Sequence, residues 1–220
     1  MFDFASLAIR GHEDRPVANT FLKQRDPARR LAVLYPGLGY NVSMPLMYYT
    51  GHVFSGLGAD VLLVDTAYNK NSAFSALPEA ERDAWAATDA VAALDEALRQ
   101  RAYERVTLAG KSIGTLAAGA VLEARPGAPI ESVVWLTPLI KNARLRQQAA
   151  ARMHRALFIT GSADPHYDAA LIEEARKSTG GEVMLVDGAN HSLEIPGDLM
   201  RSLAIMRQVI ERIDRFAREV

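Results

Sequence analysis

The sequence predicts an α/β protein in which a mostly parallel β-sheet carries helices on both faces. Short runs rich in Val, Ile and Leu alternate along the chain with longer, Ala-rich amphipathic stretches. The short runs are almost continuously apolar, which is typical of parallel strands buried on both sides. A length of 220 residues suits one domain. No internal repeat or low-complexity linker divides residues 1–220.

Six apolar runs are predicted to form the parallel strands. They are residues 31–35, 60–65, 105–109, 132–136, 156–160 and 182–187. Four amphipathic stretches between and after them predict helices, at residues 79–101, 113–124, 168–178 and 198–218. In the last helix, apolar residues at spacings of three and four predict a stripe that packs against the sheet. Its members are Leu199, Leu203, Met206, Ile210, Ile213 and Ala217.

The segment before the first parallel strand predicts an antiparallel hairpin. Residues 4–9 and 17–22 alternate apolar and polar side chains on either side of the turn-like residues 11–14. Pro16 has no N–H to donate to a neighbouring strand, so it fits only an edge strand or the start of a strand.

Composition limits the kinds of partner. The formal net charge is −1 and Lys and Arg are scattered, so we expect no binding to nucleic acid. The densest basic stretch contains Arg144, Arg146 and Arg152 among Ala and Gln, which indicates a solvated helix face. The absence of Cys excludes disulfides, thiolate metal sites and a cysteine nucleophile.

Signals for export or for membrane insertion are lacking. The segment from Met1 to Arg10 contains an acid, Asp3, and has neither a basic region nor a long apolar run. No segment is long enough and apolar enough to span a bilayer. We therefore expect a cytoplasmic protein without a membrane partner, and the sequence specifies no oligomeric state.

Ser112 lies in a pattern typical of a nucleophile at a sharp strand-to-helix turn. The predicted strand 105–109 leads into Gly110-Lys-Ser-Ile-Gly114, and a predicted helix follows at once. A Cβ at the first or last position of this pentapeptide would crowd such a turn. By itself the pentapeptide also fits an ordinary Gly-rich loop. It does not fit a phosphate-binding loop, whose first glycine would fall at Arg105.

A second Gly-rich turn, Pro36-Gly-Leu-Gly-Tyr40, follows the first parallel strand. Glycines let the backbone come close enough to a reacting carbon to donate to an oxyanion. We therefore assign the N–H groups of Leu38 and Ile113 to an oxyanion hole. A simple strand-ending turn is the alternative. A dinucleotide-binding loop does not fit, because its third glycine would fall at Val42.

Asp164 is the candidate acid. It follows the strand 156–160 in Gly161-Ser-Ala-Asp164, and ligands of open α/β sheets bind at the carboxyl ends of the strands. An ordinary turn is the alternative, since Asp-Pro initiates turns. Asp168 is a second candidate acid, although its position fits a helix N-terminus better.

His191 is the candidate base, in the loop after the last strand. Histidine combines a near-neutral pKa with two ring nitrogens, one to take a proton from Ser112 and one to bond Asp164. His166 is the rival base. It lies only two residues from Asp164 along the chain, and such close loop residues are badly placed for the acid to orient the imidazole toward a serine. Three further histidines occupy a turn, a helix and a strand approach: His12, His52 and His154.

The candidate groups all follow strand carboxyl ends, and nucleophile, acid and base occur in the order Ser, Asp, His. With these motifs the sequence resembles the α/β-hydrolase superfamily over its whole length, and most of all its compact dienelactone-hydrolase-like members and uncharacterised α/β-family hydrolases. The resemblance rests on Gly110–Gly114, Pro36–Gly39, Gly161–Asp164 and Asn190–His191. It implies an eight-stranded sheet whose second strand is antiparallel, and ester, thioester or related acyl hydrolysis without a cofactor.

Two residues depart from the family pattern. Pro36 stands where a histidine often precedes the oxyanion glycine, and Lys111 beside the nucleophile is unusual. Family cap domains are inserted after the sixth strand, where residues 139–155 of this chain leave room for one helix, so we expect an open site with no or minimal lid.

These observations predict a serine hydrolase that acts on a small carboxylic ester or thioester through an acyl-enzyme. The candidate substrate contacts follow strand ends: Tyr40, Asn41, Tyr68, Trp135, Thr137 and Leu139. With Lys111 as the one basic group expected near the site, a neutral or monoanionic ester fits better than a phosphorylated substrate. The alternatives are a catalytically silent binding protein of the same fold, and acyl transfer or perhydrolysis by the same residues.

Overall fold

An eight-stranded sheet runs through the computed structural model, in the spatial order β1-β2-β4-β3-β5-β6-β7-β8. The structure describes residues 1–151 and 153–219, so Arg152 of the basic stretch lies outside the described residues. The strands are β1 (Phe2–Ala5), β2 (Asn19–Gln24), β3 (Arg30–Tyr35), β4 (Asp60–Val64), β5 (Arg105–Lys111), β6 (Ile130–Leu136), β7 (Arg155–Gly161) and β8 (Glu182–Val186).

Helices connect and cover the strands. They are α1 (Pro45–Gly56), α2 (Ser72–Ser75), α3 (Glu79–Leu98), α4 (Ile113–Ala124), α5 (Ala143–Ala150), α6 (Ala169–Thr179) and α7 (Leu199–Arg218), with short 3-10 turns at His12–Asp14 and Tyr68–Lys70. No helix in the described residues combines the length and the apolarity that crossing a membrane requires.

Strands β3 to β8 are parallel, and β2 is antiparallel to both of its neighbours, β1 and β4. The α/β class and the six predicted parallel strands are confirmed. Because all six parallel strands point the same way, the loops that follow them meet at one edge of the sheet. That edge carries every candidate catalytic residue.

The N-terminal hairpin is antiparallel as predicted, but its predicted strand bounds are wrong. β1 pairs with β2 from Phe2 opposite Gln24 to Ala5 opposite Phe21, and residues 6–18 form a long connection. Within residues 6–18, the N–H of His12 donates to the carboxylate of Asp89 at 2.8 Å. A contact across 77 residues cannot be read from the local alternation of side chains.

Two apolar layers enclose the sheet. On one face the core includes residues of α3, α4, α5 and α6, and on the other residues of α1 and α7. The predicted stripe of α7 is partly wrong, since Leu199 and Leu203 are 71% and 55% exposed. The buried stripe instead comprises Ile205, Val209, Ile213, Phe216 and Ala217. Both sets of apolar residues recur at helical spacing, so the sequence periodicity alone does not show which face of α7 packs against the sheet.

Candidate active site

Ser112 occupies the bend between β5 and α4 with φ 53° and ψ −119°. Residues other than glycine rarely adopt such a positive φ, because it strains the backbone, and backbone strain is concentrated at functional sites. A Cβ on Gly110 would lie 2.3 Å from the carbonyl oxygen of Gly114, and a Cβ on Gly114 would lie 2.1 Å from that of Tyr35. The two glycines are therefore required where the sequence motif places them.

Ser112, His191 and Asp164 form a continuous chain of hydrogen bonds. Nε2 of His191 lies 2.9 Å from Oγ of Ser112, and Nδ1 lies 2.8 Å from Oδ2 of Asp164. The pairs are 79 and 27 residues apart in sequence. With a proton on Nδ1, Nε2 is free to accept the hydroxyl proton of Ser112.

The side chain of Asp164 is fully buried. Burial acts to raise the pKa of Asp164, but hydrogen bonds from His191 and from the backbone N–H of His166 outweigh it and bring the pKa below its ordinary value. The N–H of His166 donates to Oδ1 at 2.8 Å. Asp164 is thus a carboxylate at neutral pH, with one oxygen for each donor.

Close backbone packing joins the loop of Asp164 to the loop of His191. A Cβ on Gly161 would lie 2.0 Å from the carbonyl oxygen of Ala189, and the N–H of Ala163 donates to that same oxygen at 3.0 Å. Asn190 organises the loop further, since its Oδ1 accepts from the N–H of Ser192 at 2.8 Å. Local sequence alone does not reveal these roles of Gly161 and Asn190, although a glycine at a strand end and an asparagine in a turn are both known signals.

The rival acid and the rival base have other contacts. Asp168 is the N-cap of α6 and accepts from the N–H groups of Ala170 and Leu171 at 3.0 and 3.1 Å. The ring of His166 lies 5.0 Å from the ring of His191, while its backbone bonds Asp164. Of the remaining histidines, His12 stacks on Trp85, His52 contacts Tyr48, and His154 is buried.

The Gly-rich turn after β3 passes beside Ser112. A Cβ on Gly37 would lie 3.5 Å from Cβ of Ser112. In the described part of the chain, neither the N–H of Leu38 nor that of Ile113 has a protein acceptor. Ile113 is the first residue of α4, where N–H groups lack helical partners and the helix dipole is positive.

Three of the predicted substrate contacts are buried, and two of them, Thr137 and Tyr68, form hydrogen bonds within the protein. Thr137 is fully buried, and its hydroxyl accepts from Nζ of Lys111 at 3.2 Å. The hydroxyl of Tyr68 donates to Asp89 at 2.7 Å. Trp135 is fully buried and belongs to the core. Their burial leaves these side chains little surface for contact with a substrate.

The other three predicted substrate contacts reach the surface. Asn41 is exposed, and its Oδ1 accepts from the N–H of Ser43 at 3.0 Å within its own turn. Tyr40 and Leu139 are half-buried. Together with Leu38, which is 39% exposed, Tyr40 and Leu139 give the loops at this edge a partly apolar surface.

Comparison with known proteins gives structural matches without sequence matches. The sequence matches no protein-family model and no curated protein. A dienelactone hydrolase from Anabaena variabilis superposes with a TM-score of 0.69 at 19% identity, covering 96% of this chain and 95% of that chain. The Pyrococcus furiosus esterase Pf2001 superposes with a TM-score of 0.73 at 13% identity, covering 99% and 93%.

A third match is ATU1826 from Agrobacterium tumefaciens, a protein of unknown function assigned to the α/β hydrolases, with a TM-score of 0.73 at 18% identity, covering 99% of this chain and 97% of that chain. This chain has the α/β-hydrolase fold. At sequence identities of 13–19%, these proteins share with this chain the fold alone. The α/β-hydrolase sheet here has eight strands with β2 antiparallel, as the resemblance implied. Among the described residues between β6 and β7, α5, of eight residues, is the one helix.

Proposed function

We propose that this chain is a serine hydrolase in which Ser112 is the nucleophile, His191 the general base and Asp164 the acid that orients it. The observation that carries the proposal is the hydrogen-bonded series from Asp164 through His191 to Ser112, at 2.8 and 2.9 Å. Its position at the edge of an α/β-hydrolase sheet adds support, because structural neighbours that include a dienelactone hydrolase and an esterase share that fold.

In the proposed acylation step, Oγ of Ser112 attacks the acyl carbon while Nε2 of His191 takes its proton. The carbonyl electron pair moves onto oxygen, and the N–H groups of Leu38 and Ile113 stabilise the resulting oxyanion. Collapse of this intermediate breaks the bond to the leaving alcohol or thiol, which receives the proton from His191. The carboxylate of Asp164 stabilises the transient imidazolium.

In the proposed deacylation step, water attacks the acyl-enzyme and gives a proton to His191. The second tetrahedral intermediate collapses, Ser112 recovers its proton, and the carboxylic acid leaves. The chemistry needs no cofactor. Transfer to another acceptor or perhydrolysis would use the same residues and differ only in the nucleophile of this step.

The proposed substrate is a small ester or thioester. A short α5 leaves the site with little cover, and Leu38, Tyr40 and Leu139 offer apolar surface of limited extent beside it. A long acyl chain needs an enclosed apolar channel to remove it from water. We therefore expect short acyl chains to be preferred.

The test is hydrolysis of p-nitrophenyl esters and acyl-CoA thioesters of increasing chain length by the purified chain. Ser112→Ala is expected to lower turnover by about 10⁴-fold or more, and Ser178→Ala, at an exposed serine of α6, is expected to leave it unchanged. Activity that survives Ser112→Ala refutes the assignment. A wild-type chain without activity on any of these acyl compounds would instead favour a binding protein of this fold.

A further inference from the structure

Lys111 is a buried cation directly before Ser112. Its side chain is 1% exposed, at the carboxyl end of β5. The sequence predicts Lys111 as the basic group near the site, but its burial removes it from the surface that a substrate reaches. Taking an ammonium out of water is costly, so its retention at this position requires an explanation.

The ammonium of Lys111 joins three separate loops. Nζ donates to the backbone carbonyl of His191 at 3.0 Å, in the loop after β8. It donates to Oγ1 of Thr137 at 3.2 Å, in the loop after β6. It also lies 4.6 Å from the centre of the Tyr40 ring, in the Gly-rich turn after β3. One charged group thus connects the loop of the base with the loop of the oxyanion hole.

The partners of Lys111 are themselves fixed. Thr137 has a φ of 41°, and its N–H donates to the carbonyl of Ile159 at 2.7 Å. The hydroxyl of Tyr40 accepts from the N–H of Leu46 at 3.0 Å. Two of the three contacts of the ammonium therefore have hydrogen bonds of their own to other parts of the protein, and the third is the backbone of His191. A lysine held in this way determines where the backbone of the base can lie.

We infer that Lys111 is a positioning residue whose charged form holds the loop of His191 so that the imidazole faces Ser112. This inference rests on the proposed function and names a further residue on which it depends. Small displacements of a catalytic group cost large factors in rate because reacting atoms must be aligned. The loss of this contact should therefore affect turnover more than substrate binding.

The charge of Lys111 is sensitive to pH. Burial lowers its pKa from 10.5 to about 8, against the attraction of Asp164 and Glu194. Burial raises the pKa of Tyr40, so this phenol stays protonated around pH 8, and Asp164 with its lowered pKa stays ionised. Lys111 is charged below about pH 8 and loses its charge as the pH rises through that value.

The test compares Lys111→Met, which keeps an unbranched side chain, one heavy atom shorter, but removes charge and donors, with Lys177→Met at an exposed lysine of α6. For Lys111→Met we expect kcat on p-nitrophenyl acetate to fall about 10- to 100-fold, with KM within threefold of wild type. Wild type should lose activity as the pH rises through about 8, and Lys111→Met should lack this alkaline fall. Lys177→Met should match wild type.

An unchanged kcat in Lys111→Met, or a wild-type rate that stays flat from pH 7 to 9.5, overturns the inference. If Lys111→Met does not fold, the wild-type pH profile and the kcat of Lys111→Gln, which keeps an uncharged NH₂ donor group, decide in the same way. The low-field NMR signal of the proton between His191 and Asp164 provides a readout independent of catalysis. We expect Lys111→Met to broaden or shift it, and an unchanged signal contradicts the positioning role even if Ser112 proves inactive.

Discussion

At the scale of single residues, Asp164 decides which tautomer His191 adopts. Its Oδ2 faces Nδ1 of His191 at 2.8 Å, and its Oδ1 is occupied by the N–H of His166. A buried carboxylate with both oxygens bonded holds the imidazole with its proton on Nδ1. That tautomer leaves Nε2 able to accept from Ser112.

Replacing Asp164 by Asn is expected to lower kcat by about 10³- to 10⁴-fold, because an amide can present its NH₂ group to Nδ1 and favour the wrong tautomer. The matched control is Asp168→Asn, since Asn is as good an N-cap as Asp. Steady-state kinetics with a short p-nitrophenyl ester measures both variants. A larger loss in Asp168→Asn than in Asp164→Asn would show that the acid has been assigned to the wrong residue.

Local sequence was sufficient to select Ser112, Asp164 and His191 as candidates, because each follows a recognisable strand. It was insufficient for the contacts of Lys111. Those contacts depend on how the loops after three different strands pack together in the fold, and a local sequence pattern carries no information about that packing. The same reason explains Tyr68 and Thr137, which local sequence placed at the substrate and which the fold buries against Asp89 and Lys111.

At the scale of elements, the turn between β5 and α4 depends on glycines that no larger residue can replace without movement. The atom nearest to a Cβ on Gly114 belongs to the backbone of β3, which cannot rotate away as a flexible side chain could. The motif therefore controls the packing of α4 against the sheet as well as the exposure of Ser112.

Gly114→Ala is expected to destabilise the protein by about 1–3 kcal/mol through overpacking and to lower kcat by displacing Ser112. Gly127→Ala is the control, because a Cβ there meets no atom within 4 Å, and it should change stability by less than about 0.5 kcal/mol. Urea denaturation measures both. Equal stability and activity of Gly114→Ala and wild type would contradict the close packing described for this turn.

The type of each secondary-structure element could be predicted from the sequence more reliably than its buried face or its first and last residues. Of the six parallel strands, β3 to β7 are mostly buried, so their apolar runs identify them without tertiary information. Strand β8 lies at the edge of the sheet and is more exposed, with Leu185 47% exposed. For α7, two neighbouring stripes of apolar residues compete, and only the position of the sheet decides which one is buried. In the N-terminal hairpin, the paired residues lie farther from the turn than predicted. Asp89 of α3 accepts from the N–H of His12, in the segment between the two strands, and the local sequence pattern does not contain this long-range contact.

At the scale of the whole molecule, folding buries charge at the edge of the sheet where the proposed chemistry occurs. The free energy of unfolding must then depend on the protonation of Lys111. Its pKa falls from 10.5 in the unfolded chain to about 8 in the folded protein. Between these two values the unfolded chain binds more protons than the folded one, so this group makes stability increase as the pH rises.

The free energy of unfolding of wild type, relative to Lys111→Met, should therefore rise by about 1–3 kcal/mol between pH 7 and pH 10. Using the difference between the two proteins cancels the other groups that titrate in this range. Urea denaturation at several pH values measures it. A difference that stays constant or decreases with pH would mean that the folded protein does not depress the pKa of Lys111.

Covalent labelling tests whether Ser112 is a nucleophile activated by His191. The purified chain is treated with a fluorophosphonate, and the modified peptide is identified by mass spectrometry. We predict one label, on Ser112, that forms in wild type and is lost in His191→Ala. An unlabelled wild-type chain, or a label on another serine, would contradict the account.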